Sequence, residues 1–192
     1  MSQLLLASTS RYRRELLGRL RLPFEAVAPQ VDEAPQPSET PLGRAERLAL
    51  AKADAVSRRF PQAHVIGSDQ VAVCGDEILD KPGSAERCRQ QLRRLSGATA
   101  SFHSAVAVLP GAGQAPIQFT DSTTVHFRTL GPDEIERYIA AEQPFDCAGG
   151  FRAEGLGISL FTRVMSEDPT SLIGLPLIAL ARALRQLGYE LP

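Results

Sequence analysis

The chain has no tryptophan, and its 192 residues include only three cysteines, three histidines and two methionines. The cysteines Cys74, Cys88 and Cys147 are odd in number and lack the spacing of a metal site, which fits a reducing compartment better than a disulfide framework. A net charge of -1 provides no overall field that would attract nucleic acid or an anionic membrane. No apolar run reaches membrane-spanning length, and no signal-type segment begins the chain. We therefore expect a cytoplasmic protein that binds neither nucleic acid nor membrane.

What the chain does have is 43% hydrophobic residues, enough to bury a sizeable core in one large domain or two small lobes. Short β-rich runs alternate with helical patterns, and this alternation predicts an α/β fold. The predicted strands cover residues 3–7, 24–28, 64–73, 99–109, 115–128 and 158–164. The predicted helices cover residues 10–21, 41–60, 84–95, 132–142 and 172–187.

The segment from Leu4 to Leu17 runs from a buried strand through a hydroxyl-rich turn into a basic helix. Ser8 and Ser10 lie in the turn, and Arg13 follows in the first helical turn. Free backbone N–H groups, the positive end of the helix dipole, hydroxyl donors and a guanidinium group together favour an oxyanion. The segment therefore predicts a phosphate site. The alternative is a capped surface helix whose arginines face water.

Three further charged positions have two interpretations each. Lys52 lies in the apolar stripe of the helix predicted over 41–60, so its ammonium either snorkels to an edge or reaches a cleft that holds carboxylates or phosphates. Asp69 follows a Gly-Ser break inside a strand, where the backbone often comes close to another group, although such an aspartate commonly satisfies turn N–H groups. Glu33 lies in a proline-rich loop that, taken alone, is typical of a solvated acidic segment.

A series of short motifs covers nearly the whole chain in a fixed order: Ala7-Ser8-Thr9-Ser10 with Tyr12-Arg13, Asp32-Glu33, Lys52-Ala53, Gly67-Ser68-Asp69-Gln70, Lys81-Pro82, Leu95-Ser96-Gly97, Asp146-Cys147-Ala148-Gly149 and Ile173-Gly174-Leu175-Pro176. In order and spacing these motifs resemble the Maf family. The resemblance implies a nucleoside triphosphate pyrophosphatase, which cleaves a nucleotide to its monophosphate and diphosphate with a divalent cation such as Mg²⁺, Mn²⁺ or Co²⁺. It also implies a homodimer, and one α/β domain over residues 1–192 with an elongated mixed sheet flanked by helices, two lobes and a central cleft, as in Maf and ITPase-like folds.

The resemblance also implies roles for individual residues. Asp69 would be the proton acceptor that activates water, and Glu33 and Asp69 would supply the oxygen ligands that a hard cation prefers. Lys52 and Lys81 would complete the catalytic set. The triphosphate would be bound by residues of the opening segment, namely Ser8, Ser10 and Arg13.

The choice of base depends on fewer positions. Tyr12, Gln70 and Glu154 stand where the Maf branch that acts on dTTP and UTP has arginine, threonine and glutamine, and Cys147 replaces that branch's lysine. This combination resembles the branch that hydrolyses 7-methyl-GTP. A tyrosine face can stack on the cationic N7-methylguanine ring, and a carboxylate can accept from its N1–H and N2–H₂ edge.

Two positions depart from the family pattern. Arg11 replaces a common proline and adds charge beside the predicted phosphate site, and Asp80 replaces a glycine, so that we expect it to pair with Lys81. The alternatives are a pyrophosphatase of the dTTP/UTP type and a non-catalytic nucleotide-binding regulator of septum formation. An acyl-transfer hydrolase that uses a serine is disfavoured, because neither Ser8 nor Ser68 lies in a nucleophile-elbow pattern.

Overall fold

The computed structural model describes residues 2–111 and 113–192, and these residues form a mixed β-sheet with flanking helices. The strands are β1 (Leu4–Ala7), β2 (Glu25–Val27), β3 (His64–Cys74), β4 (Glu77–Ile78), β5 (Thr99–Leu109), β6 (Ile117–Phe127) and β7 (Phe161–Met165). The helices are α1 (Arg11–Gly18), α2 (Pro41–Ser57), α3 (Ala85–Leu95), α4 (Pro132–Glu142) and α5 (Leu177–Gln186). The strand order is β2-β1-β3-β5-β6-β7, and β4 pairs with β3. The α/β prediction is therefore confirmed.

The chain divides into two compact units. The first unit comprises the described residues of Met1–Gln70, Ser104–Asp121 and Asp168–Pro192, and the second comprises Val71–His103 and Ser122–Glu167. Among the described residues, no helix combines the length and the apolar character needed to cross a bilayer.

In the first unit, β1 lies between β2 and β3 and is parallel to both. All four residues of β1 are buried, as expected for a parallel strand that is covered on both faces. Leu4 and Leu6 join a hydrophobic cluster with residues of α1 and α5. The alternating side chains of β1 point to the opposite face, where α2 packs. The segments that carry Ser8, Lys52 and Asp69 are thereby brought to one part of the unit.

Gly67 of β3 marks the place where this strand and α2 come closest. A Cβ atom at this position would lie 2.2 Å from the carbonyl oxygen of Ala49 and 2.6 Å from the nitrogen of Ala53, both in α2. Real Cβ atoms do not approach backbone atoms so closely, so the contact requires glycine. The expectation that the Gly-Ser-Asp break marks a close backbone approach is confirmed, and the strand continues through it without a bend large enough to end it.

The second unit has an aromatic core. Phe102, Phe127, Phe151 and Phe161 meet edge to face, with centroid separations from 5.1 to 5.4 Å. Helices α3 and α4 pack against each other beside this cluster. The thiol of buried Cys88 in α3 donates to the carbonyl of Gly150 at 3.4 Å, which joins the helix to the 3₁₀ turn Ala148–Gly150.

Several predicted boundaries differ from the structure for local reasons. The closing helix was expected from residue 172 but begins at Leu177, because Gly174 is left-handed with φ of 118° and Pro176 cannot continue a helix. The strand expected over 158–164 is β7 at Phe161–Met165, since a 3₁₀ turn occupies Leu156–Leu160. Helix α1 ends at Gly18, three residues before the predicted end.

Candidate active site

The turn between β1 and α1 has the structure expected of a capped helix start. The hydroxyl oxygen of buried Ser8 accepts from the backbone nitrogen of Ser10 at 3.1 Å, and the hydroxyl oxygen of Ser10 accepts from the nitrogen of Arg13 at 3.3 Å. Each serine uses an oxygen lone pair in the turn and keeps its O–H proton for a further acceptor. The turn can therefore hold its own shape and still donate to a bound anion.

Lys52, Asp69 and Glu33 form a charged cluster in the first unit. The Nζ atom of Lys52 lies 2.6 Å from Oδ1 of Asp69 and 2.9 Å from Oε1 of Glu33. Lys52 and Asp69 are buried, with 6% and 7% of their surfaces exposed, whereas the side chain of Glu33 is 56% exposed. The snorkelling alternative for Lys52 is wrong, because its ammonium is buried between two carboxylates. The turn alternative for Asp69 is also wrong, because this residue lies within β3 and bonds Lys52.

Arg13 is held beside this cluster by the segment that precedes α5. Its Nε donates to the carbonyl of Gly174 at 3.0 Å. Burial lowers the pKa of the Arg13 guanidinium, and the carboxylates of Asp69 and Glu33 act in the opposite direction. Within the described part of the chain, the two terminal nitrogens of Arg13 have no hydrogen-bond partner. The Arg13 guanidinium is thus anchored through Nε, and its two terminal nitrogens can donate to phosphate oxygens.

The segment that anchors Arg13 is itself held by side chains of the central strands. Ser68 of β3 donates to the carbonyl of Gly174 at 3.0 Å. Gln70 donates through Nε2 to the hydroxyl of Ser104 at 2.9 Å and to the carbonyl of Ser171 at 3.0 Å, and Ser104 in turn donates to that carbonyl at 2.8 Å. The Nε2 group of Gln70 is thus engaged internally, whereas its Oε1 accepts no bond from the residues that the structure describes.

Tyr12 lies at the exposed end of the same region with Arg11 as its neighbour. Nη2 of Arg11 donates to the hydroxyl of Tyr12 at 2.6 Å, and the guanidinium carbon lies 4.7 Å from the ring centroid. Arg11 therefore covers part of one face of the tyrosine ring by a cation–π contact. The Arg11 guanidinium, which the sequence predicted to lie beside the phosphate site, contacts the Tyr12 side chain in the structure.

Lys81 and Cys147 belong to the second unit. Lys81 is exposed and makes no ion pair with any described residue, so the expected pairing between Asp80 and Lys81 is wrong. The backbone carbonyl of Asp80 instead accepts from the side chain of Gln91 at 2.9 Å. The thiol of Cys147 lies 3.5 Å from Oδ1 of Asp146.

Glu154, also in the second unit, has a cationic neighbour. Its Oε1 lies 3.5 Å from Nε of Arg152, and Arg152 also pairs with Glu142 at 2.8 Å. The carboxylate of Glu154 therefore has a positive charge beside it, shared with Glu142.

A sequence model described as Maf-like protein matches residues 3–187. The chain belongs to the Maf family. Relatives from Xanthomonas axonopodis pv. citri (strain 306) and Xanthomonas campestris pv. campestris (strain 8004) are 55% and 56% identical to it over 192 residues, which is 100% of each chain. A relative from Bordetella pertussis is 53% identical over 98% of this chain and 94% of its own. All three are named 7-methyl-GTP pyrophosphatase.

Solved structures agree with this assignment at the level of the fold. The Ham1 protein of Staphylococcus aureus has a TM-score of 0.57 at 12% identity, and it covers 98% of this chain and 100% of its own. A HAM1 protein from Coxiella burnetii has a TM-score of 0.50 at 16% identity, over 97% of this chain and 100% of its own. At these identities the likeness concerns architecture alone, and it supports the Maf and ITPase-like fold predicted above.

The chain also has carboxylate ligands for a divalent cation. In the described residues, no group of three or more histidine, cysteine, aspartate and glutamate side chains forms a metal cage. Mg²⁺ commonly binds one or two carboxylates and completes its octahedron with water and substrate phosphates. Glu33 and Asp69, which share the ammonium of Lys52, fit this open kind of site and do not fit a closed one.

Sequence reasoning missed the residues that orient the others. Ser104 is completely buried inside an apolar strand, and an unexplained buried serine of this kind is a detectable signal. Gly174 was recognised as part of a family motif but was given no role, since a backbone carbonyl carries no sequence signal. Arg44 and Arg47 of α2, which contact the loop that carries Glu33, are spaced like ordinary solvated arginines and are not distinguishable by pattern.

Proposed function

We propose that this Maf-family enzyme hydrolyses 7-methyl-GTP to 7-methyl-GMP and diphosphate. The assignment of 7-methyl-GTP as substrate is supported by the sequence identity, over nearly the whole chain, to relatives that are named 7-methyl-GTP pyrophosphatase. The observation that supports the reaction most directly is the buried Lys52 ammonium between Asp69 and Glu33, because it joins a candidate base, a candidate metal ligand and a cation in one cluster.

In the proposed reaction, a water oxygen attacks the α-phosphorus while the bond from that phosphorus to the α–β bridging oxygen breaks. The bridging oxygen leaves with diphosphate, and the water proton passes to the carboxylate of Asp69. The short contact to Lys52 keeps Oδ1 of Asp69 in place, and its other oxygen accepts no hydrogen bond from the described residues. General-base help is typically worth ~10²–10⁴-fold, so positioning and charge compensation supply most of the acceleration.

The triphosphate is assigned to the cationic and hydroxyl groups. Ser8 and Ser10 retain O–H protons at the helix start, and Arg13 presents its fork beside the cluster. Lys52 and Lys81 offset the charge that develops on the phosphoryl oxygens. A divalent cation, when bound, would add Lewis-acid stabilisation of those oxygens. Glu33 and Asp69 are the residues that would hold it.

Base selection is assigned to Tyr12, Gln70 and Glu154. The Tyr12 ring, which Arg11 contacts on one face, is assigned the stacking contact with the methylated base. The Oε1 of Gln70 and the carboxylate of Glu154 are acceptors, and guanine offers donors at N1 and N2. We also propose, from the family resemblance, that the enzyme is a homodimer, which light scattering coupled to size-exclusion chromatography would test.

The test is a panel of 7-methyl-GTP, GTP, dTTP and UTP, each assayed for diphosphate release with Mg²⁺ or Mn²⁺. We expect 7-methyl-GTP to have the highest kcat/KM. A preference for dTTP or UTP would instead place the chain with the alternative pyrophosphatase branch. Binding without turnover on every nucleotide would favour the non-catalytic regulator of cell division.

The proposed base is tested by Asp69→Asn, which keeps the shape of the side chain but cannot accept the proton in the same way. We expect turnover of 7-methyl-GTP to fall by ~10²–10⁴-fold while calorimetry still detects nucleotide binding. Asp54→Asn is the matched control, because Asp54 pairs with Arg58 on the surface of the same unit. Near-normal turnover in Asp69→Asn would remove this residue as the base.

A further inference from the structure

The loop between β2 and α2 carries Glu33 but has little regular structure of its own. Residues 28–36 form neither helix nor strand, and most of them are exposed. Pro29, Pro35 and Pro37 lack backbone N–H groups and limit the hydrogen bonds that the loop can make internally. A side chain that is 56% exposed gains little positional restraint from burial. Contacts made to the loop backbone therefore help to hold Glu33 beside Lys52, in addition to their ion pair.

Two arginines of α2 make those contacts. Nη2 of Arg44 donates to the carbonyl of Glu33 at 3.1 Å, and Nη2 of Arg47 donates to the carbonyl of Ala34 at 3.2 Å. The arginines are three residues apart and so project from one side of the helix. The bonds hold the main chain at Glu33 and at the residue that follows it, and they come from the same helix that carries Lys52.

Arg47 is itself held in a fixed orientation. Its Nε and Nη2 donate to the two carboxylate oxygens of Glu39 at 2.5 and 2.9 Å, a bidentate pair with 25% and 11% of the two side chains exposed. The hydrogen bonds from Arg47 lower the pKa of Glu39, so this carboxylate stays ionised and the pair stays charged. Glu39 also accepts from the backbone nitrogen of Gln36 at 3.3 Å, which ties in the far end of the loop.

Arg44 is the weaker of the two contacts. It makes one bond to the loop, and its buried Nε has no hydrogen-bond partner among the described residues. Arg47, by contrast, reaches Ala34 through a guanidinium that is anchored at two other points. The two residues should therefore contribute unequally.

We infer that Arg47, oriented by Glu39, is a positioning residue that holds Glu33 against Lys52, with Arg44 in a secondary role. Arg47 makes no hydrogen bond to Asp69 among the described residues, although its charge interacts with that carboxylate. It acts through the backbone of the loop. The kinetic part of this inference rests on the proposed function, whereas the structural part does not.

The structural part is tested by hydrogen exchange in the nucleotide-free protein. The backbone nitrogen of Ala34 donates to Oδ1 of Asp32 at 2.9 Å, so its amide reports whether the loop keeps its shape. We expect Arg47→Ala to increase the exchange rate of the Ala34 amide by about tenfold, because the loop loses the stabilisation of roughly one hydrogen bond. Arg44→Ala should increase this rate less. Arg47→Lys should restore little, because lysine cannot pair with Glu39 in two places.

Arg58→Ala is the control, because Arg58 lies just after α2 and pairs only with Asp54 in the described structure. It should leave exchange at Ala34 unchanged. Unchanged exchange in Arg47→Ala would overturn the inference. Equal acceleration throughout the first unit would overturn it as well, since Arg47 would then stabilise the whole unit and not the loop.

The kinetic part is tested with 7-methyl-GTP and Mg²⁺. A misplaced Glu33 should lower kcat by at least about tenfold with a smaller change in KM, while Arg58→Ala retains normal values. A change confined to KM would contradict the positioning role. If the unaltered protein hydrolyses no nucleotide, the proposed function fails, and the exchange measurement still decides whether Arg47 holds the loop.

Discussion

Replacement of Lys52 by methionine keeps the length of the side chain and removes the charge that two carboxylates share. Asp69, which is 7% exposed, then loses its cationic partner. Removal of one partner from a buried ion pair typically costs about 3–5 kcal/mol, because the remaining charge is uncompensated. Glu33 adds little to this cost, since its side chain is more than half exposed and water can solvate it.

We therefore expect Lys52→Met to lose about 3 kcal/mol of unfolding free energy, the lower end of that range. In a chain of this size each kcal/mol moves the melting temperature by about 2–4 °C, so the midpoint should fall by about 6–12 °C. Differential scanning calorimetry measures the shift. Lys81→Met is the stability control, because it removes the same charge from an exposed position without an ion pair among the described residues.

The same variant should respond more strongly to a divalent cation. Without the ammonium, Glu33 and Asp69 repel each other, and a bound cation relieves the repulsion. A ligand at a hundred times its dissociation constant stabilises the folded state by about 2.7 kcal/mol, so saturating Mn²⁺ should recover much of the lost midpoint. Hydrolysis should not recover, since the proposed mechanism also needs the Lys52 charge at the phosphates. A melting temperature equal to that of the unaltered protein, or an equal response to Mn²⁺, would refute this reasoning.

Three other predictions concern single residues. Arg11→Pro places proline at the first position of α1, where it is tolerated, and removes a guanidinium from beside the Tyr12 ring. Because that guanidinium repels the cationic 7-methylguanine, kcat/KM for 7-methyl-GTP should rise relative to GTP, and an unchanged ratio would argue against Arg11 as an influence on base choice. Burial lowers the pKa of His64, so the unfolded state binds more protons than the folded state. The unfolding free energy should therefore fall as pH decreases below about 6.5. Urea titrations should show a smaller decline in His64→Asn, and an unfolding free energy that rises in acid would contradict this prediction. Burial raises the pKa of the Cys88 thiol to about 11. A thiol reagent at pH 8 should therefore label Cys74 and Cys147 well before Cys88, and equally fast labelling of all three would show that α3 opens readily.

The elements that sequence predicted best are those with a local chemical reason to begin or end. Thr40 and Pro41 mark the start of α2, and the Thr40 hydroxyl oxygen accepts from the nitrogen of Gly43 at 3.0 Å as a cap should. Helix α4 has the predicted bounds of Pro132–Glu142. By contrast, the start of α5 depends on the backbone of Gly174 and on two upstream side chains: Thr170 accepts from the nitrogen of Leu177 at 2.9 Å, and Asp168 accepts from that of Ile178 at 2.6 Å. Such distant caps are not visible in a local pattern.

The candidate site divides in a similar way. Lys52 was identifiable because a lysine in an apolar stripe needs a partner, and the structure supplies two. Asp69 was identifiable because it follows a Gly-Ser break in an otherwise hydrophobic strand pattern. The hydrogen bonds of Gln70 to the segment that follows Thr170 involve residues about a hundred positions away, so no spacing rule could have found them. The contact between Arg11 and Tyr12 depends on side-chain direction, which sequence does not determine.

The contact at Gly67 has a consequence for how such an enzyme can change over time. Gly67 meets α2 between Ala49 and Ala53, next to Lys52, and lies two residues before Asp69 on the same face of β3. The separation between the cation and the proposed base is therefore set by two main chains in contact, and any side chain at position 67 would force the helix away from the strand. Lys52 and Asp69 are tied to this close contact between α2 and β3, whereas Arg11 and Tyr12 lie on the more exposed start of a short helix. Substitutions at Arg11 and Tyr12 can therefore alter the choice of base without changing the separation between Lys52 and Asp69.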